Sequence, residues 1–198
     1  MAHLTVIIPA YNAQAYIEEC LDSICAQILQ PDRVVVGVDG CKKTHDKLMK
    51  IGSKYQNLTV VYYKKNKGTY VTFNSLMDYV QDYFITFGAD DMAHPDMTLL
   101  MMKNTPCLSA HSGVMCMRKS IMQKMGGWRD WRIAADTDMH VRLKRAGVYL
   151  KVLPMLYEYR QHEGQLTKMI SYNSKEREDL KNIIKTSKQV YIKPVSHD

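Results

Sequence analysis

At 198 residues the chain has the length of one ordinary domain, long enough to bury a core without disulfide staples. Hydrophobic residues make up 46% and charged residues 24%, which sets aside disordered and fibrous classes, and no run of 18 apolar residues occurs to suggest a membrane span. A net charge of +7 favours anionic partners such as nucleotides, phosphates, nucleic acid or a lipid surface. The five cysteines, Cys20, Cys25, Cys41, Cys107 and Cys116, form no CxxC pair. They read as reduced, mostly buried thiols, and a zinc site is not expected. The first residues lack the zones of a secretory signal, so the expected compartment is the cytoplasm, with contact at a membrane surface left open.

The run from Leu4 to Pro9 is β-branched and apolar on both faces, as buried parallel strands are. Pro9 to Ala13 breaks it. Ile17, Leu21, Ile24 and Ile28 then follow at helical spacing in a helix expected from about Ala13. Arg33 to Val38 is a second strand, ending at the Asp39-Gly40 turn signal. A helix over 44–55, a strand over 58–63 with the exit loop Lys65-Asn66-Lys67-Gly68, and a helix over 71–80 come next. Tyr83 to Phe87 is a fourth apolar strand, followed by Gly88-Ala89-Asp90-Asp91 and by Pro95 at the start of a Met-rich helix. That Met stripe reads as core filler rather than a metal site.

Strand and helix have by then alternated four times, which argues a mainly parallel sheet flanked by helices. The second half is less regular. It gives a strand over 112–117, a tight turn at Gly126-Gly127-Trp128 and a helix over 137–146 stopped by Gly147. One or two strands interrupted by Pro154 follow, then a charged amphipathic tail helix over 175–193. The expected division is a catalytic domain over 1–170 and a helical tail over 171–198, able to dock, pair or lead into a longer protein.

Open α/β sheets place ligands at the carboxyl ends of their strands. Four exit loops meet there, carrying Ala10-Tyr11-Asn12, Asp39-Gly40, Asn66-Lys67-Gly68 and Asp90-Asp91. Hard carboxylate oxygens suit Mg²⁺ or Mn²⁺, with phosphate oxygens completing the shell. Tyr11 can stack on a base and Asp39 can accept from a base N–H. Taken alone, the acid pair reads equally well as a solvated turn capping the next helix.

The ordered motifs resemble the GT-A glycosyltransferases of family 2 over roughly residues 4–167. The matching stretches are Thr5 to Asn12, Val38-Asp39-Gly40, Asn66-Lys67-Gly68 with Asn74, Gly88-Ala89-Asp90-Asp91 with Pro95, and Gly126-Gly127-Trp128. Asp136-Thr137-Asp138-Met139 with Arg142, and Tyr159-Arg160-Gln161-His162 with Thr167, complete the set. The resemblance implies a GT-A, Rossmann-like α/β fold with a mixed, mainly parallel sheet. It implies metal-dependent, inverting transfer of a sugar from a UDP-sugar to a hydroxyl of a glycan or glycoconjugate, with Mn²⁺ or Mg²⁺ as cofactor. The donor nucleotide falls to Pro9, Ala10, Tyr11, Asn12, Asp39, Asn66, Gly68, Asn74, Ala89, Asp90 and Arg160. The metal falls to Asp90, Asp91 and His162, and the general base to Asp136. By itself Asp136 reads as a helix cap and His162 as a surface histidine. Trp128, Trp131 and Arg132 read either as an acceptor wall or as core packing.

Three departures stand out. Family members commonly carry an acid where this chain has Gly88 and an Arg where it has Phe73, and the family's Glu-Asp pair is Ala135-Asp136 here. Rival readings are a nucleotidyltransferase, a sugar- or nucleotide-binding module without turnover, and a nucleic-acid binder. The first lacks a Gly-rich loop after the first strand. The last lacks a recognition motif, so no nucleic-acid partner is expected.

Overall fold

The computed structural model describes residues 2–110, 113–131, 134–163, 165, 168 and 174–186. Strands β1 (Leu4–Ala10), β2 (Arg33–Asp39), β3 (Leu58–Tyr63) and β4 (Tyr83–Thr86) alternate with helices α1 (Ile17–Cys25), α2 (Lys42–Ile51) and α3 (Thr69–Leu76). Then come β5 (Met92–Ala93), α4 (Met97–Lys103), β6 (Cys107–Ser109), β7 (Met115–Arg118) and α5 (Lys119–Lys124). The chain continues through α6 (Ala135–Arg145), β8 (Lys151–Leu153), β9 (Tyr157–Glu158) and α7 (Lys175–Thr186).

Seven strands form one sheet in the order β3-β2-β1-β4-β7-β6-β8. The first four are parallel, so their carboxyl ends share one edge; β7 runs antiparallel to both β4 and β6. Both faces are covered, as the unbroken apolar strands require. Val6, Ile8, Val34, Val36 and Ile85 pack with Ile17 and Leu21 of α1, Leu48 of α2, and Met97 and Met101 of α4. Ile7, Val35 and Phe84 point the other way, onto Phe73 and Leu76 of α3, Met122 of α5, and Met139 and Leu143 of α6. Each such side chain contributes about 1.5–3 kcal/mol when fully buried. The Met-rich segment is therefore core.

Several boundaries differ from the sequence pattern. Helix α1 starts at Ile17 because 13–16 is drawn into a turn, with the Ala13 N–H donating to Thr44 Oγ1 at 2.9 Å. Ile28 leaves the helical stripe and is exposed; its N–H donates to the Pro95 carbonyl at 2.8 Å. Short 3-10 turns, Gly52–Lys54 and Met77–Tyr79, finish the expected helices of α2 and α3. The strand anticipated over 112–117 runs Met115–Arg118. Strand β6, three residues beside Pro106, carries too short a pattern to announce itself. A two-residue β5 stands between the acid pair and α4, because it pairs with β9.

The tail helix is attached. Ile184 is buried, and Arg145 of α6 donates from Nη2 to the carbonyls of Ile184 (3.3 Å) and Lys185 (3.0 Å). The expected boundary at 170/171, and the tail beyond 186 with Val190, lie outside the described residues. No described helix is long and apolar enough to cross a membrane.

Candidate active site

The exits of β1, β2 and β3 lock into one ledge. Asn12 takes a left-handed backbone (φ 53°), and the Cys41 thiol donates to its Oδ1 at 3.2 Å. Asp39 is only 2% exposed, and its two oxygens accept the N–H groups of Lys67 (2.7 Å) and Gly68 (2.8 Å). It therefore shapes the ledge from beneath. Gly40 (φ 73°) lets the two loops touch, since a Cβ there would lie 2.4 Å from the Asn66 nitrogen. Above the ledge Tyr11 is 53% exposed, an aromatic face open to a planar ligand. Pro9 is half-buried, Ala10 and Ala89 are buried, and Asn66 is exposed at the rim.

At the end of β4 the acids diverge. Asp91 is buried, and its Oδ1 accepts the backbone N–H of Arg160 at 3.1 Å. Burial, and then the charge of Asp90, push the Asp91 carboxyl up to about 6, against the pull of the Arg160 N–H and of the Arg160 and His162 charges. Asp90 is more open and its Oδ2 lies 3.0 Å from His162 Nε2. What brings Asp90 and His162, 72 positions apart, together is the β5–β9 pairing, Met92 with Glu158 and Ala93 with Tyr157. It turns 159–163 back over the corner as a strap. Gln165 secures the strap by donating to the Arg160 carbonyl.

Gly88 is explained by space rather than by conformation. A Cβ there would lie 2.7 Å from Asp91 Oδ2 and 3.1 Å from Asp90 Oδ1. The room that an acidic side chain would take is filled by the two carboxylates that follow it. Among the described residues no cluster of three or more His, Cys, Asp or Glu side chains converges as a ready metal cage. The pair formed by Asp90 Oδ2 and His162 Nε2 is nonetheless a hard oxygen and an imidazole facing one point, a donor set that fits Mn²⁺ or Mg²⁺ completed by phosphate oxygens. Asp91, buried and bound to the strap, supports that pair from behind.

The amino end of α6 carries a second pair of acids, Asp136 and Asp138. Asp136 is half-buried, and its Oδ1 accepts the Thr137 N–H at 2.8 Å. Its charge, after burial, helps hold the Tyr70 hydroxyl above the usual tyrosine range. Asp138 has a different task. At 2% exposure it takes Arg129 Nη1 at 3.0 Å and Arg142 Nε at 2.8 Å, and Arg142 in turn bonds the Met125 and Gly127 carbonyls. Asn74 is likewise committed: its Nδ2 donates to the Trp128 carbonyl (2.7 Å) and its Oδ1 accepts the Trp128 N–H (2.9 Å).

Trp128 is core, at 3% exposure between Phe73 (ring centroids 5.1 Å apart) and Phe84 (5.9 Å). The sequence reading of Trp128 as an acceptor wall is corrected accordingly, because its ring is consumed by packing. Phe73 stands where a contact Arg was expected because it is the other half of that packing. Trp131 is half-buried with the Arg129 guanidinium 5.6 Å from its ring, and Arg132 lies outside the described residues.

A family model for glycosyl transferase family 2 matches residues 5–148, most of the chain. The chain belongs to glycosyl transferase family 2. Curated relatives of this family 2 glycosyltransferase include an uncharacterized glycosyltransferase of Rickettsia typhi, 31% identical over 94 residues, covering 47% of this chain and 29% of the relative. The glycosyltransferase GlyA of Streptococcus pneumoniae is 29% identical over 94 residues, covering 47% of this chain and 14% of GlyA. The chain thus spans under a third of the length of these relatives. Among solved structures, the mannosyltransferase PcManGT of Pyrobaculum calidifontis, in complex with GDP-Man and Mn²⁺, superposes with a TM-score of 0.68 at 18% identity, covering 77% of this chain and 55% of that one. S. aureus TarS 1–349 in complex with UDP-GlcNAc gives 0.67 at 17% identity, covering 92% and 70%. At these identities the likeness establishes the GT-A-like fold.

Two residues beside the corner of this glycosyltransferase were missed from sequence. The Arg160 guanidinium lies 5.0 Å from the Tyr16 ring and reaches Glu19 Oε2, and His162 stacks on the same Tyr16 ring at 4.6 Å. The available signal was an aromatic and an acid three apart at the start of α1, a spacing that puts both on one helix face.

Proposed function

We propose that this family 2 glycosyltransferase moves a sugar from a UDP-sugar to a hydroxyl of a glycan or glycoconjugate, by a single inverting displacement that depends on Mn²⁺ or Mg²⁺. The observation that carries the reading is Asp90 facing His162 at 3.0 Å at the end of β4, beneath a strap that carries Arg160. The complexes of PcManGT with GDP-Man and Mn²⁺ and of TarS with UDP-GlcNAc support the donor class and the metal.

Asp90 and His162 would hold the ion. When bound, it neutralises the departing diphosphate as a Lewis acid. Arg160 offers its planar guanidinium to the same phosphates. Tyr11 takes the base on its exposed ring, with Asp39, Asn66 and Gly68 holding the ledge beneath. Asp136, at the amino end of α6, removes the acceptor proton as the general base of a single in-line displacement with inversion. Of the expected acceptor residues, Trp131 remains available as the half-open aromatic.

Calorimetry of UDP with Mn²⁺ and with EDTA tests the reading. Binding that needs Mn²⁺ and collapses in Asp90→Asn and His162→Ala is expected. Equal affinity with and without metal would remove the ion from the mechanism.

A further inference from the structure

Glu19 and Tyr16 touch both functional side chains of the strap. Arg160 Nη2 lies 2.5 Å from Glu19 Oε2, and its guanidinium is 5.0 Å from the Tyr16 ring. The His162 imidazole is 4.6 Å from that same ring. The backbone beneath is anchored separately, by the Arg160 N–H on Asp91 and by Gln165 on the Arg160 carbonyl. Arg160 is thus in place, yet its charge is already matched by a carboxylate. Resting on the donor reading above, we infer that Tyr16 and Glu19 are positioning residues of the donor site. Tyr16 is the platform that sets Arg160 and His162 side by side, and Glu19 is a placeholder that the donor diphosphate displaces.

The two differ in how firmly they are built in. Tyr16 is half-buried, tied to the turn before α1 by its N–H on the Ala13 carbonyl at 2.9 Å. It does not move when Arg160 changes partner. The Glu19 side chain is 60% exposed, and an ion pair at such an exposure contributes little net free energy. A diphosphate brings more than one negative charge and accepts both arms of the guanidinium, so the exchange runs downhill. Before the exchange, Glu19 keeps Arg160 from swinging into solvent.

The test uses UDP with Mn²⁺ as probe on the whole chain. Glu19→Gln removes the competing charge at an exposed site, and UDP affinity is expected to rise about two- to fivefold, the range set by exposed ion pairs. Tyr16→Leu is expected to weaken binding by at least as much, with Tyr16→Phe restoring it. Neighbouring substitutions with opposite signs are not what a merely structural helix start produces. In the ligand-free protein, the Arg160 amide should exchange with deuterium faster in both E19Q and Y16L. Unchanged or weaker UDP binding in E19Q overturns the placeholder, and unchanged binding and exchange in Y16L overturns the platform. If the wild-type chain binds no UDP, the donor reading fails instead, and amide exchange at Arg160 alone decides whether α1 holds the strap.

Discussion

Replacing Gly88 by alanine should damage donor binding although it adds only one methyl group. An added Cβ would sit 2.7 Å from Asp91 Oδ2, against 3.4 Å for ordinary contact, so the oxygen must retreat by ~0.7 Å (3.4 − 2.7). Asp91 is short and only 6% exposed, so it has little freedom to swing away. If its carboxylate shifts as a unit straight away from the strap, the bond from the Arg160 N–H lengthens from 3.1 Å to ~3.8 Å, the upper limit, and is lost. Hydrogen bonds to charged groups contribute about 1.5–3 kcal/mol, so the strap loses roughly tenfold or more of its closed population. Calorimetry of UDP with Mn²⁺ should show a loss of at least that size in Gly88→Ala. Gly88→Asp, which brings in the acid that family members commonly carry, should do no better. Wild-type affinity in Gly88→Ala, or improved affinity in Gly88→Asp, would refute the steric account of this corner.

Asp138→Asn should cost about 3–5 kcal/mol of stability in urea titration, because it takes the carboxylate from the buried Arg142 ion pair; a loss below about 1 kcal/mol would show that the network relaxes. Asp136→Asn should cut transfer by about 10²–10⁴ while sparing UDP affinity, since the amide oxygen can still accept the Thr137 N–H; near-normal turnover would dismiss Asp136 as base. Burial holds His140 below the usual histidine value, only partly offset by the Asp136 charge. The unfolded chain therefore binds the extra proton first as pH falls, and stability should decline below about pH 6.5, with a shallower slope in His140→Gln; identical slopes would mean that His140 is not the group responsible.

The parallel half of the fold was legible because its strands are unbroken apolar runs and its helices carry clean stripes. Ile28 misled because helical spacing continues past a point where the backbone already bonds to Pro95. Strands β8 and β9 flank Pro154 within the one or two strands expected there, whereas β5 and β6 were not legible. At two or three residues, their existence depends on a partner distant in sequence rather than on local pattern. The acid pair at the end of β4 could be read from a sequence of residues; its division of labour could not. Which acid faces His162, and which is buried under the strap, depends on the β5–β9 pairing. Trp128 and Asn74 were ambiguous for a related reason. An aromatic and an amide suit a sugar site and a core equally well, and only their mutual bonding decides between them.

The two acidic motifs follow one physical rule. Each has two carboxylates, one buried and one open. A buried carboxylate is tolerable only when its oxygens are bonded, and Asp91 and Asp138 meet that condition with the Arg160 N–H and with two guanidinium groups respectively. Those bonds fix the segments around the open partners. Asp91 fixes the strap that presents His162 to Asp90. Asp138, through Arg142, fixes the Met125 and Gly127 carbonyls, and with them the turn on which Trp128 and Asn74 pair. Neighbouring acids of one motif are therefore not interchangeable controls. Losing the open one removes chemistry from a folded protein, whereas losing the buried one unseats the frame that aims it, and only paired measurements of stability and UDP affinity separate the two.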